Sequence, residues 1–126
     1  MDKERFDRGL TARKAVLGDA YVDAALAAAD DFNRPFQEMV TEYCWGTCWG
    51  EGTLDRKQRS LLNLGMIAAM NRMHEWELHF RGAIKNGLSR DELRSILMQI
   101  AVYCGIPVGV ECFRIAKRVL AEIDEA

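Results

Sequence analysis

Scarcity is the first thing to read in this sequence. Of its 126 residues only two are histidine and two proline, and the four cysteines form no Cys-x-x-Cys pair. No histidine or second cysteine pair stands at a spacing that suits structural zinc, and a disulfide framework is not expected in a cytosolic chain. Cys44, Cys48, Cys104 and Cys112 are therefore expected as buried free thiols. Charge of one sign is also lacking. The net charge is −2, so no basic excess exists to neutralise phosphates, and nucleic acid is not an expected partner. No stretch approaches the ~18 apolar residues of a membrane span. The start, Met1-Asp2-Lys3-Glu4-Arg5, has no apolar run behind it, so no signal peptide is expected. The expected compartment is the cytoplasm, with no membrane association.

What is present is an ordinary globular balance, 49% hydrophobic and 29% charged. The length suits one domain over 1–126, with roughly two-thirds of the unfolded surface available for burial. Helical signals run throughout. Residues 4–17 are charged and periodic, and Gly18 stops them. The segment 20–31 is rich in alanine. Asn33 is placed to cap a third helix, with Pro35 in its first turn, running to about Gly46. Trp45-Gly46-Thr47-Cys48-Trp49-Gly50-Glu51-Gly52 reads as a glycine-rich loop carrying two exposed tryptophans. A helix over about 55–70 repeats Leu61, Leu62, Leu64, Ile67 and Ala68 at helical spacing. Asn71 or Arg72 marks a break, and the next helix ends near Asn86-Gly87, where glycine supplies a left-handed cap. Ser89-Arg90-Asp91-Glu92 reads as a capping box, opening a helix that turns Leu93, Ile96, Leu97 and Ile100 inward. It stops at Cys104-Gly105-Ile106-Pro107, and a last helix covers about 108–123. No segment alternates with period two for long. The expected fold class is all-α, a compact bundle of about six helices.

One stretch concentrates the chemistry: Arg72, Glu75 and His79 stand three and four residues apart, which stacks them on one helical face. A cation, a carboxylate and an imidazole so aligned can hold an anion and move a proton. The same spacing also describes an ordinary ion pair on a helix surface. Two features point further. The trio opens a helix, where backbone amides favour anions, and its neighbours Trp76, Phe80 and Ala83 are apolar enough to dry the site and shift a pKa. The string from His74 to His79 resembles the zinc motif His-Glu-x-x-His with one residue too many. Five residues place the two rings roughly 140° apart on a helix, so they cannot share a metal.

Longer motifs carry a resemblance. Glu42-Tyr43-Cys44-Trp45-Gly46 comes first, then Gly52-Thr53-Leu54-Asp55-Arg56-Lys57-Gln58-Arg59-Ser60-Leu61-Leu62-Asn63-Leu64. Next are Asn71-Arg72, Glu75, Leu78-His79, Arg81-Gly82-Ala83, Asn86-Gly87, Glu92, Gln99 and Ala101-Val102-Tyr103-Cys104-Gly105-Ile106-Pro107. In this order, over about residues 35–120, they resemble the 4-carboxymuconolactone decarboxylase family, within the alkylhydroperoxidase-like superfamily. The resemblance implies the alkylhydroperoxidase-like fold. It also implies a cytoplasmic role in aromatic catabolism through the β-ketoadipate pathway. A homo-oligomeric ring is implied as well, commonly a hexamer, with a trimer or dimer as smaller options.

The implied reaction removes CO₂ from 4-carboxymuconolactone and yields the 3-oxoadipate enol-lactone without a cofactor. The departing carboxylate leaves its electrons on a carbon conjugated to the lactone carbonyl. The protein has only to bind a small carboxylate substrate, stabilise the oxyanion and return a proton to carbon. Against that chemistry His79 is the expected general acid, and Glu75 is expected to orient it and raise its pKa. Arg72 is expected on the acetate arm or the lactone oxygen, since a strong grip on the departing carboxylate would stabilise the ground state too. Tyr103, Trp45, Tyr43 and Glu42 are further substrate-binding candidates. For the aromatics, core or interface packing is the ready alternative; the role of Glu42 is open. Arg59 reads as an ion-pair partner of Asp55.

Two other functions stay open. Thiol peroxidases and disulfide reductases of the same superfamily carry Cys-x-x-Cys before a catalytic histidine. Here those positions are Arg72 and Glu75, so only Cys44 and Cys48 remain for thiol chemistry. The other is a binding protein or a decarboxylase of a different lactone acid.

Overall fold

The computed structural model describes residues 1–126, and helices account for every regular element. They are α1 (Lys3–Leu17), α2 (Asp19–Ala27), α3 (Arg34–Met39), a π-helix (Val40–Trp49), α4 (Arg56–Ala69), α5 (Met73–Lys85), α6 (Arg90–Cys104) and α7 (Ile106–Glu125). The fold is all-α, with one α-helix more than the six expected. The chain forms two compact units, residues 1–56 and 57–126. None of the helices is long and apolar enough to cross a membrane.

In the first unit α1 packs along the π-helix. The Asp2 carboxylate accepts from the Arg5 amide at 3.1 Å and opens α1; Gly18, at φ 96°, closes it. The two backbones come very close. A Cβ on Gly9 would lie 1.9 Å from the Thr41 carbonyl oxygen, and one on Gly46 would lie 2.4 Å from that of Arg5. Glycine at 46 is therefore an approach point inside a helix. The segment 45–49, expected as loop, is helical for this reason, and its tryptophans point inward rather than out.

The π winding explains how they do so. Its i→i+5 bonds widen each turn. Residues four or five apart then stay in line, and Thr41, Trp45, Gly46 and Trp49 form one buried face. Trp45 and Trp49 pack at 4.9 Å between ring centroids and join Ala12 and Val16 in a small core.

The second unit holds the larger core, which includes Leu64, Trp76, Phe80, Leu97 and Val119. Trp76 and Phe80 stack at 5.2 Å, and the Trp76 indole N–H donates to the Leu64 carbonyl at 3.0 Å, tying α5 to α4. The end of α5 is a Schellman turn: Gly87 takes φ 98°, the Leu88 amide bonds the Ala83 carbonyl and the Gly87 amide bonds that of Ile84. The Ser89–Glu92 capping box then opens α6, with bonds of 3.1 and 2.9 Å. Gly105 (φ 108°) turns the chain into α7. Pro107 sits in the first turn of α7, so that helix starts two residues earlier than the sequence suggests.

Candidate functional site

The break before α5 is made by Asn71, the one non-glycine residue at positive φ (57°). Asparagine tolerates that conformation better than other side chains because its short polar group can hydrogen-bond to nearby backbone. The turn puts Arg72 at the N-cap position, outside the helix. Its carbonyl accepts from the Trp76 amide at 2.9 Å, while no side chain caps the first turn. Glu75 and His79 lie one turn apart within α5 and share a face. Arg72 therefore heads this face from the cap rather than from a third helical turn. Arg72 and Glu75 are exposed, whereas the neighbours Trp76, Phe80 and Ala83 are fully buried.

His79 sits between these environments. Burial pushes its imidazole pKa below the ordinary 6.5, and the Glu75 carboxylate pulls the other way with less effect. The expected upward shift from Glu75 is thus present but outweighed, because charging an imidazole against the core costs more than one exposed carboxylate returns. At neutral pH His79 rests uncharged. Asn63 of α4 brings its side-chain amide to 3.5 Å from His79 Nδ1, a long contact that favours a proton on Nε2 when it donates. Asn63 was not singled out from the sequence. It lies within a matched motif, yet only the packing of α4 on α5 reveals what it faces.

Roughly 200° around α5 from His79, Glu77 makes a different arrangement. It accepts from Arg118 of α7 at 2.5 Å and from Arg81 at 3.1 Å, and Arg81 also reaches Glu122 at 2.6 Å. The Arg118 bond, with Arg81 behind it, holds the Glu77 carboxyl at about 2. This network fastens α5 to α7 and leaves no carboxylate lone for acid–base work.

The remaining candidates are scattered. Tyr103, near the end of α6, is 83% exposed and lines a cavity of about 490 Å³ between α4 and α6. Leu61, Gly65, Ile96, Gln99 and Ile100 also line it, and His79 does not. Glu92 is its one charged lining residue, so it offers no cation to an anionic substrate. Glu42, Tyr43 and Trp45 belong to the first unit. Glu42 accepts from the Asp2 amide at 3.0 Å and pairs with Arg5 at 3.8 Å. Trp45 is 4% exposed, and Tyr43 is open to solvent.

The thiols differ from expectation. Cys112 is buried and pushed up to about 11 by that burial, but Cys44 and Cys48 are exposed and Cys104 is partly so. Trp45 and Trp49 occupy the inner face of the π-helix, which turns the residue before each outward. Packing around the Cys44 sulfur still raises its pKa, Cys48 adding to the rise, away from the reactive thiolate. No three His, Cys, Asp or Glu side chains converge to hold a metal ion.

Comparison with known proteins places the chain in a family. The carboxymuconolactone decarboxylase family matches residues 34–118. A nitrosuccinic acid decarboxylase of Metarhizium robertsii is 44% identical over 98% of this chain and 86% of its own. A 4-carboxymuconolactone decarboxylase of Acinetobacter baylyi is 31% identical over 97% of this chain and 91% of its own. One from Pseudomonas putida is 51% identical, over 36% of this chain and 94% of its own. With its all-helical fold and a family match that spans most of its length, the chain belongs to the carboxymuconolactone decarboxylase family.

Proposed function

We propose that the protein is a carboxy-lyase that decarboxylates a small acid carrying a second anionic group, with 4-carboxymuconolactone as the substrate. The observation that carries the reading is the face of α5. A half-buried neutral imidazole stands one turn from a carboxylate, and an arginine without an ion pair stands at the head of the same helix.

Loss of CO₂ breaks one carbon–carbon bond and leaves the electron pair on a dienolate that ends at the lactone oxygen. Arg72 and the uncapped first turn of α5 attract the substrate's retained carboxylate or that oxygen. His79 supplies the proton that returns to carbon. The low resting pKa of His79 fits this sequence of events. An arriving dianion raises the imidazole pKa, so the acid becomes charged when substrate is present and recovers its proton from water after turnover. Glu75 orients the ring and offsets part of the burial.

A second substrate is supported by the 44% identity to the nitrosuccinic acid decarboxylase. There the leaving carboxylate sits on the carbon that bears the nitro group. The electron pair moves onto nitro oxygens as a nitronate, and a second carboxylate remains as a handle. The same three residues meet the same demands. CO₂ release from each acid, with intact protein and His79→Gln, tests both readings. Turnover of one acid that falls about 100-fold or more in the variant is the expected result. Turnover that survives the substitution removes His79 as the acid. No release from either acid removes the decarboxylase reading.

The working form is proposed to be a homo-oligomer. Leu61 (48% exposed), Leu62 (49%), Val102 (75%) and Tyr103 are large side chains on α4 and α6 left uncovered by the single chain. Exposed apolar side chains of this size suit burial against a second copy. Light scattering on intact protein and Val102→Glu checks this, the variant being expected at lower mass.

A further inference from the structure

A different cavity, about 220 Å³, opens between α6 and α7. Each helix contributes an i, i+3, i+4, i+7 face to it: Arg90, Leu93, Arg94 and Leu97 from α6, and Phe113, Ala116, Lys117 and Leu120 from α7. Its floor reaches the core, since Phe80 is 0%, Leu97 1% and Leu93 2% exposed. Its charged lining is all of one sign. Arg90 bonds Asp124 at 2.5 Å and Arg94 bonds Asp91 at 3.0 Å, but neither carboxylate lines the cavity, and Lys117 makes no ion pair. Exposed pairs of this kind hold little energy and exchange readily for a better-placed anion. The cavity between α4 and α6 is the opposite case, with Glu92 as its one charge.

From this juxtaposition of an apolar floor and a rim of three cations we infer that the α6–α7 cavity is a binding site for a small amphiphilic monocarboxylate, an aryl or short alkyl body with one anionic end. The body replaces water over the partly buried Phe113 and Leu120, above the buried Phe80, Leu93 and Leu97, and the carboxylate lies at the rim among Arg90, Arg94 and Lys117. A polar dianion such as the proposed substrate has no apolar body for this floor. A neutral arene loses the rim contribution, and a cation is repelled. The site is separate from the α5 face that carries Arg72, Glu75 and His79, although Phe80, the residue after His79, belongs to its floor.

The test uses three molecules of nearly one shape: phenylacetate, phenylacetamide and 2-phenylethylammonium. Each is titrated into the intact protein while backbone amide shifts are followed by NMR. Phenylacetate is expected to move amides of residues 90–97 and 113–120, with affinity falling as salt is added. Phenylacetamide binds several-fold more weakly, and the ammonium compound does not bind. In Lys117→Glu with Arg94→Glu, both at exposed positions, the order of acid and amine reverses. Ala116→Leu fills the floor and abolishes binding of all three, while an unchanged thermal transition shows the variant folded. The proposal is overturned if the three ligands bind alike, if the shifts map elsewhere, if phenylacetate produces none, or if charge reversal leaves the order unchanged.

Discussion

The two units of this chain reach stability by opposite routes. Residues 1–56 have a core of four buried hydrophobic residues, whereas residues 57–126 have thirteen, so apolar burial alone favours the second. The first unit compensates by backbone proximity: glycine at 9 and 46 lets α1 and the π-helix touch main chain to main chain. It also buries a cation. Arg13 is 5% exposed and bonds two neutral acceptors, Gln37 at 3.0 Å and Thr41 at 3.1 Å, and burial lowers its pKa. In the second unit the Glu77–Arg118–Arg81–Glu122 network of charges stays partly open to solvent. A helix pair with few apolar contacts depends on the absence of side chains at its closest points. A layered core depends on the presence of large ones. The chemistry-bearing face of α5 stands on the second kind of support, where a rigid neighbourhood fixes His79.

The largest effect should come from removing a large side chain where packing dominates. Trp76→Ala is expected to cost about 4 kcal/mol, since it leaves a cavity and strips the Leu64 carbonyl of its donor. Urea denaturation measures this, and a loss below about 2 kcal/mol would mean the core collapses around the gap. Adding one carbon where proximity dominates comes next. Gly9→Ala is expected to cost about 3 kcal/mol because its Cβ meets a backbone oxygen that cannot move aside. Amide exchange should rise mainly within residues 3–49. Uniform acceleration across the chain would break the contrast between the units.

Titration separates the surface network from the buried imidazole. The folded pKa of Glu77 lies near 2, below its ordinary 4.5. Its contribution is whole above about pH 4.5 and is lost as pH falls toward 2. Allowing for solvent screening, Glu77→Gln should remove about 1 kcal/mol at neutral pH and flatten the acid limb of the stability curve. His79 acts in a higher window. Its folded pKa is also depressed, so the folded state is favoured above about 6.5 and loses that advantage as pH falls. His79→Gln should flatten the curve just below pH 6.5 and leave the Glu77 limb intact. The smallest effect is the converse of Gly9. A Cβ on Gly65 meets nothing within 4 Å, so Gly65→Ala is expected to stabilise α4 by about 0.7 kcal/mol, read as a small rise in melting temperature.

Elements with local causes were legible before folding. The Ser89–Glu92 box, the Gly87 cap, the break at Asn71-Arg72 and the inward set of α6 each depend on residues within one or two turns, and each is present, Leu93, Leu97 and Ile100 being buried and Ile96 partly so. The Trp45–Trp49 segment differs from its expected loop for the matching reason. Its glycines look like turn residues in isolation, and only the approach of α1, some 40 positions away in sequence, shows that they make room for a neighbour. Leu61 and Leu62 fit the helical period of α4 yet lie outside its core, because a pattern gives the face of a helix and not how much of that face the single chain covers.

The same division runs through the α5 face. Sequence alone determined that Glu75 and His79 lie one turn apart on a helix, since helical geometry is set by the backbone and needs no partner. Tertiary structure decided the rest. It placed Arg72 at the cap, brought Asn63 to His79, and set burial against Glu75 so that the imidazole rests neutral. Spacing is a local property of the chain, whereas a pKa answers to everything packed around the group, including segments far away in sequence.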